Sequence, residues 1–277
     1  MRKINKPNVS QEEVCDSFKE FMYRERVLEK SKEYDENFFQ VVGLLKDENI
    51  FISQNKDYSD YMKNIYSTRF SNSGYKDPYA YYKKIRNAEK NCPYCNYITR
   101  SVKQLDHHFP KSKFPSLAIT VNNLVPICMD CNNLKKEYYA TNESEILLHP
   151  YYDEIVEDVF DFLKCRVIED MNIGFEFYIE NLPNWDNISF ERVKLHFKRL
   201  KIDDLYRADF EADFVSHFEE LKGLFEQNKD IEEIRVALDR KVKSLLKTKI
   251  KVWAYVGFKS ILDSNWFFKV YLPEKCI

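Results

Sequence analysis

Cys92-Pro-Tyr-Cys95, Leu105-Asp-His-His-Phe-Pro-Lys-Ser112 and Asn122-Asn-Leu-Val-Pro-Ile-Cys128-Met-Asp-Cys131-Asn-Asn-Leu-Lys135 form the stretch whose reading decides the fold. Two C-x-x-C pairs frame it. One such turn presents two thiolates to a tetrahedral Zn2+, and a second pair a few tens of residues away completes a closed four-sulfur site. A redox dithiol or a pair of disulfides would use the same residue types. The duplication argues against the first, and a cytoplasmic chain against the second. Cys92, Cys95, Cys128 and Cys131 are therefore expected to hold one structural zinc. Cys15, Cys165 and Cys276 have no partner at ligand spacing and read as buried or inert thiols.

The residues between and after the knuckles resemble the HNH endonuclease family. Its pattern runs D/H-H-x-x-P-x-S, then N-L-x-x-x-C, then C-N/H-x-x-K, and every element is present here in that order. The resemblance covers about 45 of the 277 residues. It implies an α+β, predominantly helical chain with a central zinc-stapled ββα-metal unit, flanked by helical regions. In the family the proline follows the general base by three positions, and Pro110 stands three after His107. The resemblance thus makes His107 the base, Asp106 and Asn132 the ligands of a catalytic Mg2+ or Mn2+, and Asn123 a brace for the loop. His108 is left over, as a structural or substrate-proximal histidine. An alternative register would make His107 the metal ligand and His108 the base. Phe114-Pro115 departs from the two glycines many members carry, which bears on the loop conformation and not on the ligands.

Phosphodiester hydrolysis requires a deprotonated water, neutralised phosphoryl oxygens and a stabilised leaving alkoxide. A neutral imidazole can do the first near pH 7. A hard cation held by a carboxylate and an amide oxygen can do the others. Arg100, Lys111, Lys113 and Lys135 are expected to hold the phosphate backbone, which is positioning and not sequence reading. The chain as a whole carries a net charge of -2, so the nucleic-acid signal is local. Between Lys83 and Lys136 ten Lys/Arg stand against three acids, a net +7.

Pro-Lys-Ser-Lys-Phe-Pro-Ser-Leu-Ala118 and Leu148-His-Pro-Tyr-Tyr-Asp153 also resemble the HNH subunits of Septu-type and retron-linked anti-phage systems. Those subunits act beside an ATPase partner subunit. With five glycines, none in a phosphate-cradling pattern, this chain is not expected to bind ATP itself. The functional expectation is an HNH endonuclease acting on nucleic acid, DNA favoured, in an antiviral role. The alternatives are a restriction-type endonuclease and a non-catalytic zinc-dependent nucleic-acid-binding module.

Three regions follow: 1–90, helical; 91–150, the nuclease core; 151–277, a short strand pair and a helical segment. Ser10-Gln-Glu-Glu13 is a capping box that starts a helix with Val14, Phe18, Phe21 and Leu28 on one face. Lys164 to Leu182 reads as two strands around Met171-Asn-Ile-Gly174. Asp230 with Glu233 caps a helix carrying Ile234, Leu238, Val242 and Leu245. No apolar run approaches the roughly 18 residues of a spanning helix, and the first residues lack the apolar segment of a signal peptide. The expectation is a cytoplasmic protein with no membrane partner.

Overall fold

Ser10 and Glu13 close the expected capping box: the Ser10 hydroxyl accepts the Glu13 N–H at 3.1 Å, and the Glu13 carboxylate accepts the Ser10 N–H at 2.7 Å. Helix α1 (Gln11–Asp16) is only six residues long. Ser17 ends it by turning its hydroxyl onto the Val14 carbonyl at 2.6 Å, a side-chain bond that competes with helix continuation. Phe18 and Phe21 therefore lie in a turn and not on one continuous helical face, although Val14, Phe18, Phe21 and Leu28 still reach a common core. The computed structural model describes residues 1–97 and 100–276, with the side chains of residues 39, 41, 42, 156 and 158 outside the description.

Helices α2 (Arg24–Glu36), α3 (Val41–Gln54), α4 (Lys56–Ile65) and α5 (Lys76–Arg86) follow. Then come strand β1 (Gln104–His107), strand β2 (Leu124–Ile127) and helix α6 (Met129–Lys135). The two strands pair antiparallel, with Asp106 opposite Val125 and His107 opposite Leu124. After them run α7 (Val159–Phe162), β3 (Leu163–Ile168), β4 (Gly174–Ile179), α8 (Asn187–Arg199), α9 (Ile202–Glu226), α10 (Ile231–Thr248), α11 (Val252–Asp263) and α12 (Leu272–Lys275). No helix among the described residues is long and apolar enough to cross a membrane.

The chain forms two units. The first comprises residues 1–156 and 186–196. Its main core packs Val14, Tyr58, Met62, Phe70 and Ile85 from the N-terminal helices against Leu105 and Leu124 from the strand pair. A boundary near residue 90 thus falls inside one hydrophobic core. The second unit comprises residues 157–185 and 197–277. There Phe175 on β4 meets Phe210 and Phe214 on α9 at 4.6 and 5.1 Å between ring centroids. Gly257 on α11 is required by close approach, since a Cβ would fall 2.4 Å from the Phe210 ring. Asp230 and Glu233 make the expected capping box of α10.

Within the first unit, Arg192 on α8 donates to both oxygens of Asp153 at 2.7 Å and from Nε to the Ile146 carbonyl at 3.0 Å. The Asp153 side chain is 3% exposed and that of Arg192 8%. Arg192→Met strands a buried carboxylate and is expected to lower the stability of this unit by about 3–5 kcal/mol, read by urea denaturation. Adding Asp153→Leu should recover part of that loss.

Candidate functional site

The first knuckle is a tight turn: the Asn96 N–H bonds to the Cys92 carbonyl at 3.0 Å, and Asn96 sits at φ 51°, a left-handed conformation asparagine tolerates. The second is built by α6, where Cys128 is the N-cap and Cys131 lies in the first turn. All four thiols are buried, and their sulfur atoms lie within 4.8 Å of one another. Zn–S bonds of about 2.3 Å in a tetrahedron put sulfurs about 3.8 Å apart, so the donor set and its spacing fit a structural metal such as zinc.

Each knuckle also delivers one partner to Asp106. Tyr94, between the first pair of cysteines, donates its hydroxyl to Asp106 Oδ2 at 3.0 Å. Lys135, at the end of α6, donates from Nζ to Asp106 Oδ1 at 3.1 Å and to the His107 carbonyl at 2.8 Å. Each carboxylate oxygen keeps a second lone pair, so a further contact on the cleft side is chemically available.

Asp106, His107 and Asn132 line one open cleft of about 350 Å³, together with residues that include Tyr66, Tyr82, Lys111, Lys136 and Glu137. His107 is half-buried, and its Nε2 lies 2.9 Å from the Ala118 carbonyl. A carbonyl only accepts, so Nε2 carries the proton and Nδ1 is left as an acceptor. Burial pushes the His107 pKa down to about 3, which keeps the ring neutral at pH 7. The loop between the strands is braced by the fully buried Asn123. Its amide accepts the Phe109 N–H at 2.8 Å and donates to the Phe109 and Leu117 carbonyls at 3.0 and 3.1 Å.

His108 follows the last residue of β1 and meets the same Tyr94 hydroxyl that binds Asp106. It is 3% exposed, with Nδ1 3.1 Å from the Tyr94 hydroxyl and its ring 4.3 Å from that of His149. It does not line the cleft. The expected backbone-binding cations divide. Lys111 lines the cleft and Lys113 is exposed nearby in sequence. Arg100 pairs with Asp130 at 3.2 Å, near the cysteines. Lys135 is wholly buried against Asp106, where it braces a carboxylate and offers no charge to solvent.

No family model matches the chain, and no solved structure matches it. It is similar to Protein ea31 of Escherichia phage lambda, with 31% identity over 126 residues, or 45% of this chain. The match spans 42% of that protein's length.

Tyr94, Tyr66, His149 and Arg192 were not singled out from the sequence. Tyr94 carried the one available signal, its place inside a knuckle. His149 lies in the quoted Leu148–Asp153 stretch, where its Nε2–H reaches the Asn122 carbonyl at 2.9 Å and its Nδ1 accepts the Tyr151 N–H at 3.2 Å.

Purified protein is expected to carry one zinc per chain by elemental analysis. Cys95→Ser or Cys128→Ser should lose both the metal and the fold of the first unit, because such a site contributes directly to folding. Acid should also destabilise it. Burial holds His107 and His196 down to about 3 and His108 and His149 well below their usual value. As pH falls through about 6.5 the unfolded chain takes up protons that the folded chain refuses, so stability drops. With zinc in excess, the urea midpoint should fall steadily from pH 7 to pH 4, and His149→Gln should flatten that slope.

Proposed function

We propose that this chain is a metal-dependent endonuclease that hydrolyses phosphodiester bonds of nucleic acid, DNA favoured, using Asp106, His107 and Asn132. The observation that carries this reading is a neutral imidazole, oriented by a backbone carbonyl, in a cleft it shares with two carboxylates, an amide and two lysines. Glu137 lines the same cleft and acts on the Lys111 charge, but among the described residues no ion pair engages Lys111 or Lys136, so both can meet a polyanion.

Asp106 and Asn132 offer the hard oxygen donors that Mg2+ or Mn2+ prefers. Such an ion, when bound, supplies charge neutralisation at the phosphoryl and leaving oxygens. His107 Nδ1 accepts a proton from the attacking water as the new P–O bond forms and the bond to the leaving oxygen breaks. The Nε2–H stays on the Ala118 carbonyl, which stabilises the imidazolium that results. Lys111 and Lys136 hold phosphate oxygens beside the scissile bond, a contact indifferent to base sequence. Tyr94 and Lys135 keep Asp106 from rotating away. In this reading any coupling to ATP belongs to a partner subunit, consistent with the resemblance to anti-phage nucleases.

Single-turnover cutting of DNA across a Mn2+ titration tests the assignment. His107→Ala is expected to lose about a hundredfold to ten-thousandfold in rate at every metal concentration. Asp106→Ala should regain part of its activity as Mn2+ rises, and a folded His108→Ala should be milder than either. A dead but folded His108→Ala beside an active Asp106→Ala would overturn the register.

A further inference from the structure

Helix α4 does not stop at Ile65 but runs on into a π-turn, Tyr66–Phe70. This wider geometry is rare and recurs at functional sites. It is held closed by Ser71, which donates its N–H and its hydroxyl to the Tyr66 carbonyl at 2.8 and 3.0 Å. The Tyr66 ring stands edge-on to His107, with centroids 4.3 Å apart and planes at 64°. Phe70 and Tyr82 back it at 5.9 and 6.4 Å. Lys111 Nζ lies 5.2 Å from the centre of the same ring and donates to the Lys63 carbonyl at 3.3 Å. Among the described residues the His107 ring makes one hydrogen bond, to Ala118, and a ring on a single hydrogen bond can still tilt about it. The Tyr66 ring packs against the imidazole and so limits such a tilt on that side.

We propose that Tyr66 is a positioning residue for His107: its ring, delivered by the π-turn at the end of α4, keeps Nδ1 aimed into the cleft. The inference rests on the reading of His107 as the base, and it makes catalysis depend on residues outside the motif-bearing segment. Lys111 is set by α4 together with its π-turn, through the Lys63 carbonyl and the Tyr66 face, so one continuous segment aligns both the base and a phosphate-binding charge.

The test uses the full chain labelled with 15N-histidine, with the His107 signals assigned by their loss in His107→Gln. Wild type and Tyr66→Phe, which keeps the ring, should show a single Nε2–H tautomer for His107 with a slowly exchanging proton. Tyr66→Leu should show averaged tautomers and fast exchange. In DNA cleavage, Tyr66→Leu should lower kcat by about tenfold to a hundredfold with KM within about twofold, and Tyr66→Phe should recover most of it. If Tyr66→Leu does not fold, Tyr66→Met replaces it. An unchanged His107 tautomer and kcat in the leucine variant, or a loss seen only in KM or in melting temperature, would overturn the proposal. Should the wild type cut no nucleic acid, the proposed function fails, and the tautomer measurement alone still decides whether Tyr66 orients this imidazole.

Discussion

The carboxylate of Asp106 is held between two donors that come from opposite halves of the cysteine cluster. Tyr94 sits inside the first C-x-x-C turn, and Lys135 ends the helix that the second turn begins. Buried at 4% exposure, Asp106 must be compensated, and these two bonds do so. A metal that draws the four sulfurs together therefore also sets the distance between Tyr94 and α6, and through them the position of β1. The remaining geometry of the cleft follows from that strand: His107 faces the cleft, His108 faces the core, and α6 brings Asn132 alongside. Lose the cluster, and the carboxylate loses both of its supports.

The histidines show how environment separates residues of one chemical type. His107 and His108 are neighbours in sequence and both are kept neutral by burial. His107 lines the open cleft, and with Nε2 on the Ala118 carbonyl its Nδ1 has no hydrogen-bond partner among the described residues. His108 spends its Nδ1 on Tyr94 and is packed among His149, Phe38 and Phe109. In the proposed chemistry the base must be reachable, and of these two histidines His107 alone lines the cleft.

Much of this was legible in the sequence because its determinants are local. The C-x-x-C turns, the Ser10 and Asp230 capping boxes and the β3–β4 hairpin each depend on residues a few positions apart. The short α1 was missed because one Ser17 hydroxyl overrides an apolar period that continues past it. Lys135 read as one cation among ten, and nothing near it in sequence says that it is buried. Its burial depends on Asp106, 29 residues away. Arg192 and Asp153 meet over 39 residues, and Tyr66 reaches His107 over 41, distances at which periodicity carries no information. The fold of the second unit was legible as helices and a hairpin, but not the contact of Gly257 with Phe210 that seats α11 on α9.

We propose that one frame, stapled by a structural metal such as zinc, holds Asp106 and Asn132 where a single hard cation can bind beside His107. Crystals of the zinc-loaded protein grown in Mn2+, with diffraction recorded at both the zinc and the manganese absorption edges, test it most directly. The account predicts a zinc signal centred among Cys92, Cys95, Cys128 and Cys131, and a separate manganese signal within coordination distance of Asp106 and Asn132. A cleft free of manganese at saturating concentration, or manganese bound elsewhere while Asp106 stays locked to Lys135 and Tyr94 alone, would contradict it.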